Sequence, residues 1–226
     1  MLRTALPRLA RIQHPVRDPL EGVEAEIRRI ILSDFAPIQE VSDYLALARG
    51  KLFRPTLLLL ASRVGDSDGD ERAPTLGAIV ELVHLATLVH DDAVDHSVLR
   101  RGMPTVNALW NHQSAIIMGD YLYSRAVSEL ATFGRTELIT VLAGAANEMS
   151  VGEMRQLVSA DALDFDEDDY ERLIRAKTAS LMSAGTALSL ILPEPSPANV
   201  YAFRVTRSTT PLKSRSSPSY SSPGFA

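Results

Sequence analysis

Apolar residues recur every three to four positions along most of this chain, which is the spacing of one face of an α-helix. Leu and Ala dominate the longest of these segments, and such a composition favours helices over strands. The pattern therefore predicts an all-α fold. The predicted helices, in chain order, are 18–35, 38–47, 56–64, 74–98, 110–130, 136–157 and 170–192.

The predicted helix 74–98 is apolar around nearly its whole circumference, so we expect it to lie buried at the centre of the fold. Its polar exceptions are therefore informative. Apart from a cluster of aspartates they are Glu81, His84 and His90. A lone histidine in such a helix is more often a core residue than a ligand, and we interpret His90 and His96 as structural or surface residues.

Three aspartates lie near the end of this helix. Asp91 and Asp95 are four residues apart and project from one helix face, with Asp92 beside them. Carboxylates this close repel one another unless a cation lies between them, and their oxygen atoms suit Mg²⁺. Because Mg²⁺ commonly binds one or two carboxylates together with substrate phosphates, the cluster predicts a magnesium–diphosphate site. A solvated acidic helix end is the alternative interpretation.

Cations suited to phosphate binding flank this cluster in the sequence. Lys51 and Arg54 lie three residues apart at the predicted start of helix 56–64, where backbone N–H groups also favour anions. Arg100 and Arg101 follow the aspartates, and guanidinium groups bind phosphate oxygens in bidentate fashion. Taken alone, the first pair is better explained as a turn with two surface cations.

The predicted helix 170–192 carries Lys177 and Thr178 among Ala, Leu and Met residues. A lysine buried in such a helix would be unstable without an anion nearby. The strongly acidic stretch 161–169 precedes this helix. Because acids stabilise helix N-termini, we interpret the stretch as a polar loop that caps the helix rather than as a second metal site.

Taken together, these segments resemble the motifs of the trans-isoprenyl (polyprenyl) diphosphate synthases over residues 18–192. One departure is Arg49, which stands where the family has the first glycine of G-G-K-x-x-R-P. The resemblance implies an isoprenoid-synthase-type helical bundle around a central cavity, with the aspartates at its mouth. The motifs, in chain order, are G-K-x-x-R-P from residue 50, E-x-x-H from 81, D-D-x-x-D from 91, R-R-G from 100 and K-T from 177.

The same resemblance implies a prenyltransferase of isoprenoid biosynthesis. It would condense an allylic prenyl diphosphate with isopentenyl diphosphate into a medium- or long-chain all-trans polyprenyl diphosphate, with Mg²⁺ as cofactor and a homodimer as its assembly. Small residues such as Ala86 and Thr87 go with longer products in the family. The metal and catalytic residues it implies are Asp91, Asp92 and Asp95, with Lys177 also catalytic. The residues it implies for isopentenyl diphosphate are Lys51, Arg54, His84 and Arg101, and for the allylic diphosphate Arg100, Lys177 and Thr178.

The composition changes near residue 199, which sets the expected domain boundaries. Residues 199–226 contain no acid and are rich in Ser, Pro and basic residues, which is typical of a disordered tail. We expect a basic N-terminal arm over 1–17 and a partial synthase domain over 18–198. The family's second aspartate motif, F-Q-x-x-D-D-x-x-D, does not occur. We therefore expect a truncated or frame-shifted coding sequence, or else a natural regulatory tail, and weak diphosphate binding with poor turnover.

Bulk composition excludes several classes of protein. The net charge of −5 argues against a general nucleic-acid-binding protein, which needs a basic surface. The absence of cysteine rules out disulfides and thiolate metal sites. No apolar run approaches the ~18 residues that a transmembrane helix needs, so we expect no membrane span. We expect a cytoplasmic protein, because Pro7 and Pro15 interrupt the amphipathic helix that an organelle transit peptide would form over the basic residues 1–17.

Three alternatives stay open at this point. A terpene cyclase shares the D-D-x-x-D motif but has no need for Lys51, Arg54 and His84 as isopentenyl diphosphate ligands. A non-catalytic subunit of a heteromeric prenyl synthase commonly lacks its aspartates, whereas the first set is intact in this chain. The third alternative is a helical domain with no active site.

Overall fold

The computed structural model describes residues 8–47, 50–64, 70–162 and 166–192 and confirms an all-α fold. The α-helices are α1 Arg8–Gln13, α2 Arg17–Ile30, α3 Ala36–Leu47, α4 Phe53–Ala61, α5 Ala73–Val94, α6 Val106–Leu109, α7 His112–Ala131, α8 Thr136–Ala162, α9 Glu167–Ile174 and α10 Ser180–Ile191. A 3₁₀ turn, His14–Val16, joins α1 to α2, and a π-helical segment, Arg175–Ala179, joins α9 to α10. Strands β1 Leu99–Arg100 and β2 Met103–Pro104 pair antiparallel, with Leu99 opposite Pro104.

Helix α5 lies at the centre of the fold, as its apolar circumference predicts. It packs against α2, α4, α7 and α10, and twelve of its residues are buried. Among the described residues it is also the one helix with the length and hydropathy of a membrane span, although 56% of that apolar window is buried inside the protein. A helix enclosed by four others positions whatever follows its last turn, and the aspartates lie there.

Several helix ends differ from the predicted bounds for local reasons. Helix α5 ends at Val94 rather than at residue 98, because Asp95 caps it and His96 adopts a left-handed conformation with φ of 49°. The helix predicted over 110–130 begins two residues later, at His112, since Asn111 is extended and its side chain accepts a hydrogen bond from the backbone N–H of Ser114 at 2.7 Å, which starts α7. Periodicity alone shows neither the end of α5 nor the start of α7.

The acidic stretch 161–169 caps the next helix as predicted, but it is not all loop, because α8 extends to Ala162 and α9 begins at Glu167. Asp166 has extended backbone, and its carboxylate accepts a hydrogen bond from the N–H of Asp169 at 2.7 Å. Three further acids occupy the first turn, where the partial positive charge of the helix N-terminus stabilises them. Residues 163–165 lie outside the described part of the chain.

The predicted domain boundaries stay predictions. Residues 8–16, expected to belong to a basic arm, form α1 and the 3₁₀ turn, and Val16 is completely buried. The expected tail, residues 199–226, lies outside the described residues.

Substitution of two helical glycines by alanine is expected to change the free energy of unfolding in opposite directions. Gly77 in α5 is buried, and a Cβ there would lie 2.9 Å from Val23 Cγ2, whereas nothing lies within 4 Å of a Cβ on Gly144 in α8. We expect Gly77→Ala to lower the free energy of unfolding by about 1 kcal/mol or more, because the overpacking exceeds the gain in helix propensity. We expect Gly144→Ala to raise it by about 0.5–1 kcal/mol.

Urea denaturation of the two variants and the parent chain measures both effects. The two substitutions are chemically identical, so equal changes in the free energy of unfolding would contradict the close packing of α5 against α2 at Gly77.

Candidate active site

The three aspartates lie at the carboxyl end of α5, but they differ in burial. Asp91 and Asp92 occupy the last turn, with side chains that are 17% and 9% exposed. Asp95 is the cap residue, and its N–H donates to the carbonyl of Asp91 at 2.8 Å. The side chain of Asp95 is exposed. The helix therefore presents one half-buried and one buried carboxylate, with a third in contact with solvent.

A tight hairpin after α5 directs the two arginines. Arg101 and Gly102 occupy the turn between β1 and β2 with φ of 53° and 81°, and two consecutive positive φ angles are the signature of a type I′ turn. Glycine adopts this conformation without strain, which explains Gly102. Arg100 lies on β1, and its Nε donates to both carboxylate oxygens of Asp92, at 2.7 and 2.9 Å.

Lys177 is held against the aspartates from the opposite side. Its Nζ lies 2.5 Å from Glu153 Oε2 and 3.4 Å from Asp91 Oδ2, and it donates to Gln156 Oε1 at 3.2 Å. Burial lowers the pKa of Lys177, but the hydrogen bond to Glu153 and the charge of Asp91 outweigh burial and leave the pKa raised. The predicted anion beside this lysine is therefore a pair of carboxylates.

The π-helical segment explains how Lys177 reaches that position. The N–H of Ser180 bonds to the carbonyl of Arg175, five residues earlier, so one extra residue is accommodated in this turn. Helix α8 approaches the segment closely at Gly152, where a Cβ would lie 2.8 Å from the Cβ of Ala176. Such π-helical turns frequently occur at functional sites.

The ionised form of Asp91 is disfavoured by its surroundings. Burial and the charge of Glu153 raise its pKa, and the charge and hydrogen bond of Lys177 only partly oppose them. An additional cation would stabilise the ionised form of this carboxylate. The electrostatics at Asp91 therefore favour binding of a cation.

A second group of charged side chains surrounds Glu81 on α5. A Cβ at position 50 would lie 3.2 Å from Glu81 Oε1 and 3.5 Å from Arg101 Nη1, so the backbone at Gly50 runs directly against both side chains. Burial raises the pKa of Glu81 in spite of the nearby charges of Arg54 and Arg101. The Nε of Arg54 is buried without a hydrogen-bond partner. A buried donor of this kind favours an acceptor from a ligand.

His84 lies between these two groups. Burial, followed by the positive charges of Arg54, Arg101 and Arg100, lowers its pKa to about 3. The imidazole is therefore neutral at physiological pH. Its environment also shows that cations from the start of α4 and from the hairpin converge on one region of α5.

The remaining predicted site residues are less tightly placed. Lys51 is exposed in the loop before α4, and Thr178 is half-buried in the π-helical segment next to Lys177. Of the two small residues expected to line a product tunnel, Ala86 is only 1% exposed. Thr87 is half-buried and donates to the carbonyl of His84 at 2.7 Å.

The carboxylates fit a magnesium site only in part. Within the described residues, no three His, Asp or Glu side chains are grouped closely enough to hold a metal ion by themselves. The reason is visible in the contacts, since Asp92 is paired with Arg100 and Lys177 lies against Asp91. Mg²⁺ commonly takes only one or two carboxylates and completes its shell with water and phosphate oxygens. The donor set suits that mode of binding and does not suit an all-protein cage.

Two acidic residues at the site were not predicted to have a role. Glu81 is part of E-x-x-H and interrupts an apolar helix, which is a signal that the sequence does carry. Glu153 lies 24 residues from Lys177, and their contact depends on how α8 packs against the π-helical segment. His90 is a structural residue as predicted, because its ring lies against Gly119 of α7, where no Cβ could be accommodated beside it.

The pKa of His84 predicts a pH dependence of stability. Because the folded pKa is about 3 and the ordinary value 6.5, the unfolded chain binds one more proton between these pH values. The free energy of unfolding therefore falls as pH is lowered from 6.5 towards 3, by at most about 1.4 kcal/mol per pH unit from this residue. We expect His84→Gln to flatten that slope in urea denaturation between pH 4.5 and 7.5, whereas His14→Gln, at an exposed position, serves as the control. Equal slopes in all three proteins would contradict the burial of a neutral His84.

Comparison with known proteins places this geometry in a family. The polyprenyl synthetase family model matches residues 36–206. The heptaprenyl diphosphate synthase component 2 of Geobacillus stearothermophilus is 38% identical over 189 residues, which cover 82% of this chain and 59% of that protein. The octaprenyl diphosphate synthase of Escherichia coli K12 is 34% identical over 184 residues, covering 81% and 57%.

A solved structure agrees with the sequence matches. The polyprenyl synthase from Caulobacter crescentus CB15, complexed with calcium and isoprenyl diphosphate, superposes with a TM-score of 0.81 at 30% identity, covering 89% of this chain and 61% of that one. The chain thus spans about three fifths of the length of each of these relatives. Since the family model matches more than half of its residues, the chain belongs to the polyprenyl synthetase family.

Proposed function

We propose that this chain is a prenyltransferase, which joins an allylic prenyl diphosphate to isopentenyl diphosphate and forms a medium- or long-chain all-trans polyprenyl diphosphate. The observation that carries the proposal is the convergence of cations from α4, the hairpin and the π-helical segment on one face of α5, next to partly buried carboxylates. Two groups of cations beside one acidic cluster suit two diphosphates and a divalent metal ion.

We assign the allylic diphosphate to the end of α5. Arg100, Lys177 and Thr178 would bind its phosphate oxygens, and Asp91, Asp92 and Asp95 would supply carboxylate oxygens to Mg²⁺. The metal ion, when bound, supplies Lewis-acid stabilisation of the negative charge that develops on the leaving diphosphate. Arg100 and Lys177 contribute to the same stabilisation because their charges are already fixed in position by Asp92 and Glu153.

We assign isopentenyl diphosphate to the group around Glu81. Lys51, Arg54 and Arg101 would bind its diphosphate, and the buried Nε of Arg54 is a donor that still needs an acceptor. His84 is neutral in this environment, so it would act as a hydrogen-bonding group and not as a charge.

The reaction that follows from this arrangement is an ionisation and an addition. The bond between the allylic carbon and the diphosphate oxygen breaks, and both electrons leave with the diphosphate. The double bond of isopentenyl diphosphate attacks the allylic cation and forms the new carbon–carbon bond. A proton is then lost, and the departed diphosphate is a suitable acceptor for it. Apolar residues around the site keep water from reaching the cation.

The terpene cyclase alternative is addressed by the same site. A terpene cyclase needs no second diphosphate, whereas the buried Arg54 beside Arg101 and Glu81 suits one. The poor turnover expected from the sequence stays a prediction, as does the cytoplasmic location. For that reason binding is a more direct test of the proposal than turnover.

The two arginines of the hairpin provide the test. We expect Arg101→Asn to weaken isopentenyl diphosphate about tenfold or more, because a charged hydrogen bond is lost, and to change binding of the allylic diphosphate less than about twofold. Arg100→Gln should do the reverse. Asparagine is chosen at 101 because it tolerates a positive φ. Calorimetric titration of each diphosphate in the presence of Mg²⁺ measures both affinities.

Arg17→Ala is the matched control, since Arg17 forms an exposed ion pair with Glu21 on α2. Radiolabelled isopentenyl incorporation by the same proteins reports on the reaction itself. The proposal fails if the parent chain binds neither diphosphate, and the two assignments fail if both variants weaken both ligands equally.

We also infer that the chain pairs with a second copy of itself. Helix α8 exposes a row of apolar side chains at helical spacing, Val151, Met154 and Val158, which are 45–62% exposed. Such a face suits contact with another helix. The alternative partner is a different subunit, since the relative from Geobacillus stearothermophilus is named as one component of a synthase.

Sedimentation velocity measures this assembly. We expect twice the chain mass for the parent protein and the single-chain mass for Met154→Glu, because a buried carboxylate without a partner opposes association. Gln113→Glu, at an exposed polar position on α7, should keep the doubled mass. A single-chain mass for the parent protein at all concentrations would contradict the homodimer.

A further inference from the structure

The loop that presents Lys51 is contacted by a segment far away in the sequence. Gln13, the last residue of α1, lies 38 residues before Lys51 and outside the matched family region, which begins at residue 36. Its side-chain Nε2 donates to the backbone carbonyl of Lys51 at 2.9 Å and to Thr56 Oγ1 at 3.0 Å. One amide group therefore connects both sides of the turn that starts α4.

The chemistry of the partners fixes the orientation of the Gln13 amide. A backbone carbonyl only accepts hydrogen bonds, so the NH₂ group and not the oxygen of the amide must face Lys51. Thr56 Oγ1 accepts from the same nitrogen and donates its own proton to the carbonyl of Leu52 at 2.7 Å. Thr56 is completely buried. The three hydrogen bonds form a continuous chain from α1 to the backbone of residues 51 and 52.

This part of the loop needs external support. Leu52 adopts a left-handed conformation with φ of 47°, which is unfavourable for a residue with a branched side chain. Such a conformation persists only where surrounding contacts determine it. The carbonyl of Leu52 accepts hydrogen bonds from both the N–H and the hydroxyl of Thr56, and Gln13 bonds to the preceding carbonyl. The side chain of Lys51 leaves the backbone at the Cα that is bonded to the first of these two carbonyl groups.

The same N-terminal segment is attached to the other end of α4. Arg63 Nη1 donates to the carbonyl of Pro15 at 2.5 Å, and Val16 is completely buried. Residues 13–16 therefore contact α4 at both ends, which fixes α1 relative to the loop.

We propose that Gln13 is a positioning residue for isopentenyl diphosphate binding. It holds the backbone of Lys51 and Leu52, the loop from which the exposed Lys51 side chain would reach the diphosphate. This inference rests on the proposed function for the identity of the ligand, but the contact itself does not. A loop that is already ordered loses less conformational freedom when Lys51 contacts the ligand, and this strengthens binding.

Hydrogen–deuterium exchange tests the contact without any ligand. Gln13→Glu keeps the length of the side chain but places a carboxylate against two oxygen atoms, so it removes both donated hydrogen bonds. We expect faster exchange in the peptide that covers residues 50–57, and unchanged exchange in peptides from the core of α7. Arg11→Ala, an exposed residue on the same helix, is the control and should leave both peptides unchanged.

A double-mutant cycle tests the consequence for binding. We expect Gln13→Glu to weaken isopentenyl diphosphate roughly three- to tenfold in calorimetric titration. In a Lys51→Ala background the same substitution should have almost no further effect, because Gln13 acts through Lys51. A general loss of structure would instead weaken binding by the same factor in both backgrounds.

These outcomes separate the inference from the proposed function. If the parent chain binds no isopentenyl diphosphate, the proposed function fails, and the exchange experiment still decides whether Gln13 holds the loop. If exchange over residues 50–57 is unchanged in Gln13→Glu, or if the substitution weakens binding equally with and without Lys51, the positioning role of Gln13 is wrong.

Discussion

The site depends on charge compensation at the end of a buried helix. Helix α5 is enclosed by four others, so its last turn brings Asp91 and Asp92 into a region where an unpaired carboxylate would be strongly destabilised. Arg100 neutralises one of them, and Lys177 is shared between the other and Glu153. These ion pairs hold the cations in defined positions, and the same cations are those that suit a diphosphate.

The compensation is incomplete, and this distinguishes the site from a structural salt-bridge network. Burial and the charge of Glu153 leave the pKa of Asp91 raised in spite of Lys177, and the buried Nε of Arg54 is a hydrogen-bond donor without an acceptor. In a network that only stabilises the fold, buried polar groups normally have partners, so neither of these two groups is expected there. A metal ion would stabilise the ionised form of Asp91, and a phosphate oxygen would accept a hydrogen bond from Arg54. Both groups therefore agree with the proposed pair of ligands.

The sequence predicted those parts of the structure that depend on neighbouring residues. Helical periodicity located α5 and its central position, and the acids at the start of α9 were correctly interpreted as a cap. Each of these signals is formed by residues that are close together in the sequence. The start of α7 after Asn111 and the early end of α5 at Val94 depend on backbone conformations that periodicity does not report. Contacts such as Glu153 with Lys177, and Gln13 with Lys51, join residues 24 and 38 positions apart and appear only when the helices have packed.

The π-helical segment carries a consequence for how this family member tolerates changes in length. Its turn contains one residue more than a regular α-helical turn, as the bond from Ser180 to Arg175 shows. Deleting one residue other than Lys177 between 175 and 179 would restore an ordinary helix, and the helical turns on either side would keep nearly the same orientation, because the π-helical turn holds the extra residue without rotating its flanks. Residues inside the turn would shift around the helix axis, so the ammonium group of Lys177 would move relative to Asp91 and Glu153 although all three residues were still present. Insertions and deletions in this segment are therefore under stricter constraint than substitutions on its exposed face.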